Sequence, residues 1–107
     1  MVAQRVIPQL TDLAQADSAA IPALIVTSSL LPQHPIPQLF ALSLVKAAQR
    51  NLVQSLSMTY ENILVGLINV WGQVSPEAEV HNPTNIAAKA WDWFSNSKKN
   101  KSFEVII

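Results

Sequence analysis

The sequence predicts an α/β domain in which three short parallel strands alternate with three helices, in the order α-β-α-β-α-β. Three observations predict it. Apolar residues recur at helical spacing over residues 1 to about 16 and again from about Gln38 to Tyr60. Ala23 to Thr27, Ile63 to Val70 and Phe103 to Ile107 are short unbroken apolar runs, the pattern of strands covered on both faces. Strands separated by helix-length segments are joined by crossovers, which place them parallel and favour a right-handed connection.

Each element has a local reason. In the first helix Val2, Val6, Leu10 and Leu13 form the expected apolar stripe, and Pro8 is expected to kink it or end its first part. Asp17 to Pro22 is a small, polar connector. Pro32, Pro35 and Pro37 forbid regular structure in the loop after the first strand. In the long helix Ala41, Val45, Ala48, Leu52 and Leu56 lie along one stripe, which Leu42, Leu44, Ala47 and Val53 widen. A helix apolar over so much of its surface needs cover on more than one side. Residues 71 to 82 read as a loop. Asn82 and Pro83 open the last helix as N-cap and first helical residue, with Ile86, Ala90, Trp93 and Phe94 facing inward.

Composition narrows the function classes. The chain has 107 residues, enough for one domain, half of them hydrophobic and only 13% charged. Seven acidic and seven basic residues give no net charge, which argues against nucleic acid or acidic lipid as a partner. The run Lys98, Lys99 and Lys101 reads as a solvated loop. Without cysteine there is no disulfide, thiolate nucleophile or cysteine-ligated metal. No apolar run has the ~20 residues of a membrane span, and Gln4, Arg5 and Pro8 interrupt any leader pattern, so a soluble cytoplasmic protein is expected. A short chain this apolar is also expected to self-associate.

Four stretches carry a resemblance: Leu-Ile-Val-Thr-Ser-Ser at 24–29, Leu-Val-Lys-Ala-Ala-Gln-Arg-Asn-Leu at 44–52, Val-Gly-Leu-Ile-Asn-Val-Trp-Gly-Gln-Val-Ser at 65–75, and Asn-Pro-Thr-Asn-Ile-Ala at 82–87. In this order and spacing, residues 4 to 107 resemble the carboxyl-terminal half of the short-chain dehydrogenase/reductase family, in the divergent branch that lacks the catalytic tyrosine. The resemblance implies half of a Rossmann-like, doubly wound fold, a single truncated domain over residues 1–107. The family's serine falls on Ser29 and its lysine on Lys46, both retained. Its tyrosine falls on Leu42, and its Pro-Gly after the next strand on Trp71-Gly72. Neither glycine of this chain, Gly66 or Gly72, lies in a pyrophosphate-binding turn. The resemblance therefore implies no NAD(P) site, no cofactor and no hydride transfer by the family route.

Lys46, Ser29 and His34 are the candidate catalytic residues. A lysine in apolar surroundings can serve as base or electrostatic anchor, and the plainer alternative is an ammonium that snorkels to water. Ser28 and Ser29 can orient a substrate carbonyl or simply satisfy backbone groups at the strand end. His34 and His81 sit in loops expected to flank one sheet edge, where either can move a proton near neutral pH or stand exposed. Ser28, Leu42, Trp71, Gln73, Val74 and Ser75 are the candidate substrate-binding residues. Trp71 is suited to wall a small apolar ligand or to plug the vacated cleft. Glu77, Glu79 and His81 match no metal-ligand motif, and no metal is expected.

These residues suggest a cofactor-independent isomerase, cyclase or lyase working as an oligomer. The alternatives are a non-catalytic pseudoenzyme or assembly protein and, less favoured, an NAD(P)-dependent oxidoreductase. Association is expected through helices 2–16 and 38–60, the resemblance's dimerising pair, or through strand 23–27, which has lost a neighbour and is left as an open edge. A homodimer or higher even oligomer follows, with pairing to a full-length relative as a variant.

Overall fold

A computed structural model describes residues 2–99 and 101–107. Its elements are α1 (Val2–Ala16), β1 (Ala23–Ser28), a short 3-10 turn (Pro37–Leu39), α2 (Phe40–Thr59), β2 (Leu64–Asn69), α3 (Pro83–Ser95) and β3 (Glu104–Ile106). Met1, where the apolar pattern begins the first helix, lies outside the described residues. The three strands form one open parallel sheet in the order β1-β2-β3, with Ile25 beside Gly66 and Leu67 beside Glu104. The expected α/β arrangement of three helices and three parallel strands is therefore present, a half-Rossmann-like layout.

Both faces of the sheet are used, but unequally. Val65 and Leu67 of β2 are fully buried, and they join Ile63, Ala3 and Ile7 of α1, and Val53 of α2 in the core. Side chains alternate along a strand, so Gly66 points to the opposite face. There it meets α3: a Cβ on Gly66 would lie 2.6 Å from Cη2 of Trp93. The layers are thus α1 and α2, then the sheet, then α3.

This layering corrects one expectation. The connections β1-α2-β2 and β2-α3-β3 step in the same direction across the sheet. Their helices lie on opposite faces, so the two crossovers have opposite hands. One of them is of the rare left-handed kind, which accounts for only about 2% of such connections. The long loop of residues 70–82, rather than a direct turn into the helix, carries the chain to the far face.

The inward faces of two helices also differ from their apolar stripes. In α1 the buried positions are Ala3 and Ile7, with Leu10 and Ala14 beside them, while Val2 and Leu13 are exposed. The helix continues unbroken through Pro8, which sits on the solvent side. In α2 the buried residues are Ser43 and Val53, and Lys46 and Arg50 lie on the same stripe. The predicted stripe largely faces out: Val45 is 62% exposed, as is Leu44, and Ala41, Ala48 and Leu52 are exposed with them. The polar carboxyl end of the sheet, described below, selects the face that carries Arg50.

β1 is not covered on both faces. It pairs with β2 alone, and Ile25 and Thr27 are exposed. Leu64 N–H donates to Pro22 O and Val70 N–H to Ser28 O. By alternation, Ala23, Ile25 and Thr27 turn their N–H and C=O groups to the open edge. The start of α3 is as expected: Asn82 Oδ1 accepts from Asn85 N–H at 2.8 Å, with Pro83 behind it.

Candidate functional site

The carboxyl ends of β1 and β2 and the inward stripe of α2 converge where the sequence placed its chemistry. The best-defined feature there was not anticipated. Arg50 of α2 and Glu104 of β3 form a two-point ion pair, with Nε donating to Oε2 at 3.1 Å and Nη2 to Oε1 at 2.7 Å. Asn69, 1% exposed at the end of β2, donates through Nδ2 to Oε2 of Glu104 at 2.9 Å. The Arg50 guanidinium also lies 5.1 Å from the centre of the Phe103 ring.

The Arg50 hydrogen bonds hold the Glu104 carboxyl below its ordinary value against the opposing effect of burial, with Asn69 and Gln33 adding to the lowering. The same contact raises the Arg50 value. A carboxylate held ionised by a guanidinium fork is a poor proton acceptor. The group therefore ties α2, β2 and β3 together and does not act as a base. Its local signal was the rule that a charged side chain in an apolar strand needs a partner. That rule points to Glu104 without saying that Arg50 answers it.

The predicted residues are divided by the fold. Ser29 is committed locally, since its Oγ accepts from Leu31 N–H at 3.3 Å. The Ser28 hydroxyl is buried and has no hydrogen-bond partner among the described residues. Lys46 is half-buried on the inward stripe and makes no hydrogen bond or ion pair among the described residues. Leu42 is 44% exposed and lies off that stripe.

His34 and Trp71 meet across two loops, their ring centroids 5.4 Å apart and tilted by 55°. Both are exposed, so the pair closes the loops over one another at the rim. Gln73 and Val74 point to solvent. Ser75 is used in a turn, donating to Glu77 Oε2 at 2.6 Å and holding the Glu77 carboxyl below its ordinary value. His81 Nε2 bonds the Ile107 carbonyl at 3.0 Å, which makes that nitrogen the protonated one. The ring packs on Gly72, whose φ is +141° and on which a Cβ would lie 2.6 Å from His81 Nδ1, so no side chain fits there.

The two histidines thus flank residues 71 and 72 but serve as packing and anchor. Among the described residues no three His, Asp or Glu side chains are grouped to hold a metal, and no helix is long and apolar enough to cross a membrane. No protein-family model, curated protein or solved structure matches the chain.

Proposed function

We propose that this chain is a non-catalytic assembly domain, built on the carboxyl-terminal half of a short-chain dehydrogenase-like scaffold, that works as a homodimer or higher even oligomer. The observation that carries the reading is the outward face of α2. From Phe40 to Thr59 its exposed positions include Phe40, Leu42, Leu44, Val45, Leu52 and Met58, and none of the exposed positions is charged. An apolar face without charge can pack on a copy of itself with no like-charge repulsion. In the family the chain resembles, the corresponding two helices commonly form the dimer.

The total surface is larger than that of a compact monomer. The accessible surface is 7033 Å², whereas a folded monomer of 11.7 kDa exposes about 5,900 Å². The excess, about 1,100 Å², exceeds the ~800 Å² that each partner gives to a standard interface. The radius of gyration, 14.9 Å, is likewise above the ~13 Å of a compact chain this long. The open edge of β1 offers a second contact, with no charge or proline within the strand to discourage pairing.

Light scattering at micromolar concentration is expected to give about 23 kDa, twice the chain mass, or an even multiple. The double substitution Leu44→Glu, Val45→Glu is expected to yield folded monomers with an unchanged far-ultraviolet spectrum. A wild-type monomer near 12 kDa refutes the assembly reading.

A second reading, a cofactor-independent isomerase, cyclase or lyase, is favoured by one observation: among the described residues the buried Ser28 hydroxyl has no partner and Lys46 is unpaired. It expects a small cyclic ketone to bind at the sheet's carboxyl end. Cyclohex-2-enone should quench tryptophan emission saturably, and Ser28→Ala should abolish the effect. A linear, non-saturating quench removes this reading.

A further inference from the structure

A cavity of about 420 Å³ opens at the amino ends of β1 and β2, the end of the sheet opposite Ser28 and Asn69. Its chemistry is two-sided. Ile21, Pro22 and Leu64 give it an apolar wall. Lys98, Lys101 and Ser97 line the other side. Lys98 Nζ donates to the carbonyls of Ser18 at 3.2 Å and Ala19 at 3.3 Å, and Lys101 Nζ to the carbonyl of Glu61 at 2.7 Å.

These carbonyls position the two ammonium groups without neutralising them. The Arg50–Glu104 pair is the sole ion pair among the described residues, so no carboxylate lies against either lysine. An ammonium has three donors. One remains on Lys98 and two on Lys101. Ser97 also lines the cavity, but its hydroxyl oxygen is buried out of reach of the open space and has no hydrogen-bond partner among the described residues. Buried hydroxyls ordinarily have one. With Glu61 also at the wall, two lysines leave the lining one positive charge in excess.

We infer that this cavity binds a small organic monoanion, a carboxylate on a compact apolar body, with the carboxylate held by Lys98 and Lys101 and the body against Ile21 and Leu64. The excess charge of one favours a monocarboxylate over a multiply charged ion. The volume lies within the 300–1,000 Å³ range of small-molecule sites. The lysine run, read from sequence as a solvated loop, is on this view one wall of a site.

Amide-resolved NMR of the wild-type chain titrated with phenylacetate tests the proposal. Saturable shifts at millimolar concentration or tighter are expected, confined to residues 18–22, 61–64, 97, 98 and 101. Neutral phenylacetamide should bind roughly tenfold more weakly or worse, because it loses charge-assisted hydrogen bonds. Lys101→Met should cost a similar factor, and Lys101→Arg should keep the affinity within a few-fold. If Lys101→Met perturbs the fold, the comparison of acid and amide on wild type still decides. Equal affinity for the two, shifts that never saturate, or tighter binding of inorganic phosphate at the same residues each overturn it.

Discussion

Glu104→Gln is expected to destabilise the protein by about 2 kcal/mol and to lower its melting temperature by about 10 °C. The substitution keeps shape and removes charge. It leaves the Arg50 guanidinium, whose side chain is 30% exposed, without its anionic partner, and weakens the bond from buried Asn69. Replacing one partner of such a pair costs more than replacing both. Arg50→Met with Glu104→Leu is therefore expected to cost less than the sum of Arg50→Met and Glu104→Leu alone, and the double-mutant cycle over these variants by thermal denaturation reads the coupling directly. Additive losses in the two single variants would sink the latch.

The pH dependence has a definite sign. The folded Glu104 value lies below its unfolded value of 4.5. Its contribution is thus complete above about pH 4.5 and is lost as pH falls through the lower, folded value. Glu77 is shifted in the same direction through Ser75. The difference between wild type and Glu104→Gln isolates the Glu104 part: their melting curves should converge on acidification. A gap that stays constant down to pH 2.5 contradicts the assignment.

Gly66→Val is expected to be the most damaging change on the α3 side, costing about 3 kcal/mol or abolishing the folded state. A Cβ at residue 66 would stand 2.6 Å and 2.9 Å from two carbons of the Trp93 ring and 3.0 Å from the Phe103 carbonyl oxygen. The ring can swing, but the carbonyl belongs to the backbone entering β3, and its oxygen accepts from Leu67 N–H at 2.7 Å. Overpacking of this kind costs about 1–3 kcal/mol, only partly offset by the entropy gained on replacing glycine. Gly66→Ala should fall at the mild end, and Trp93→Leu in the same chain should relieve the ring clash while leaving the carbonyl one. Tryptophan emission and melting temperature check both. An unchanged melting temperature for Gly66→Val means that α3 does not pack on Gly66 as described.

Much of the architecture was legible because it depends on local pattern. Continuous apolar runs marked all three strands, and Asn82 and Pro83 marked the start of α3. The face each helix presents was not legible. In α2 apolar residues occur nearly all round, so periodicity names no unique inward side. Of the candidate site the sequence marked Ser28 at the end of β1 and Lys46 on α2, but local pattern did not show that Ser29 and Ser75 satisfy their own turns.

The sequence by itself determined the number, type and order of the elements and the parallel sheet, since spacing, caps and chain breaks act over a few residues. Tertiary structure alone decided three things. It chose the polar stripe of α2 as the inner one, because Glu104 and Asn69 at the sheet end need Arg50, 54 residues away from Glu104 in sequence. It sent α3 to the opposite face, because only Gly66 leaves room there for Trp93. It gathered Ser97, Lys98 and Lys101 around the amino ends of the strands. Each of these rests on a contact between distant residues, whose free energy no local pattern of side chains encodes.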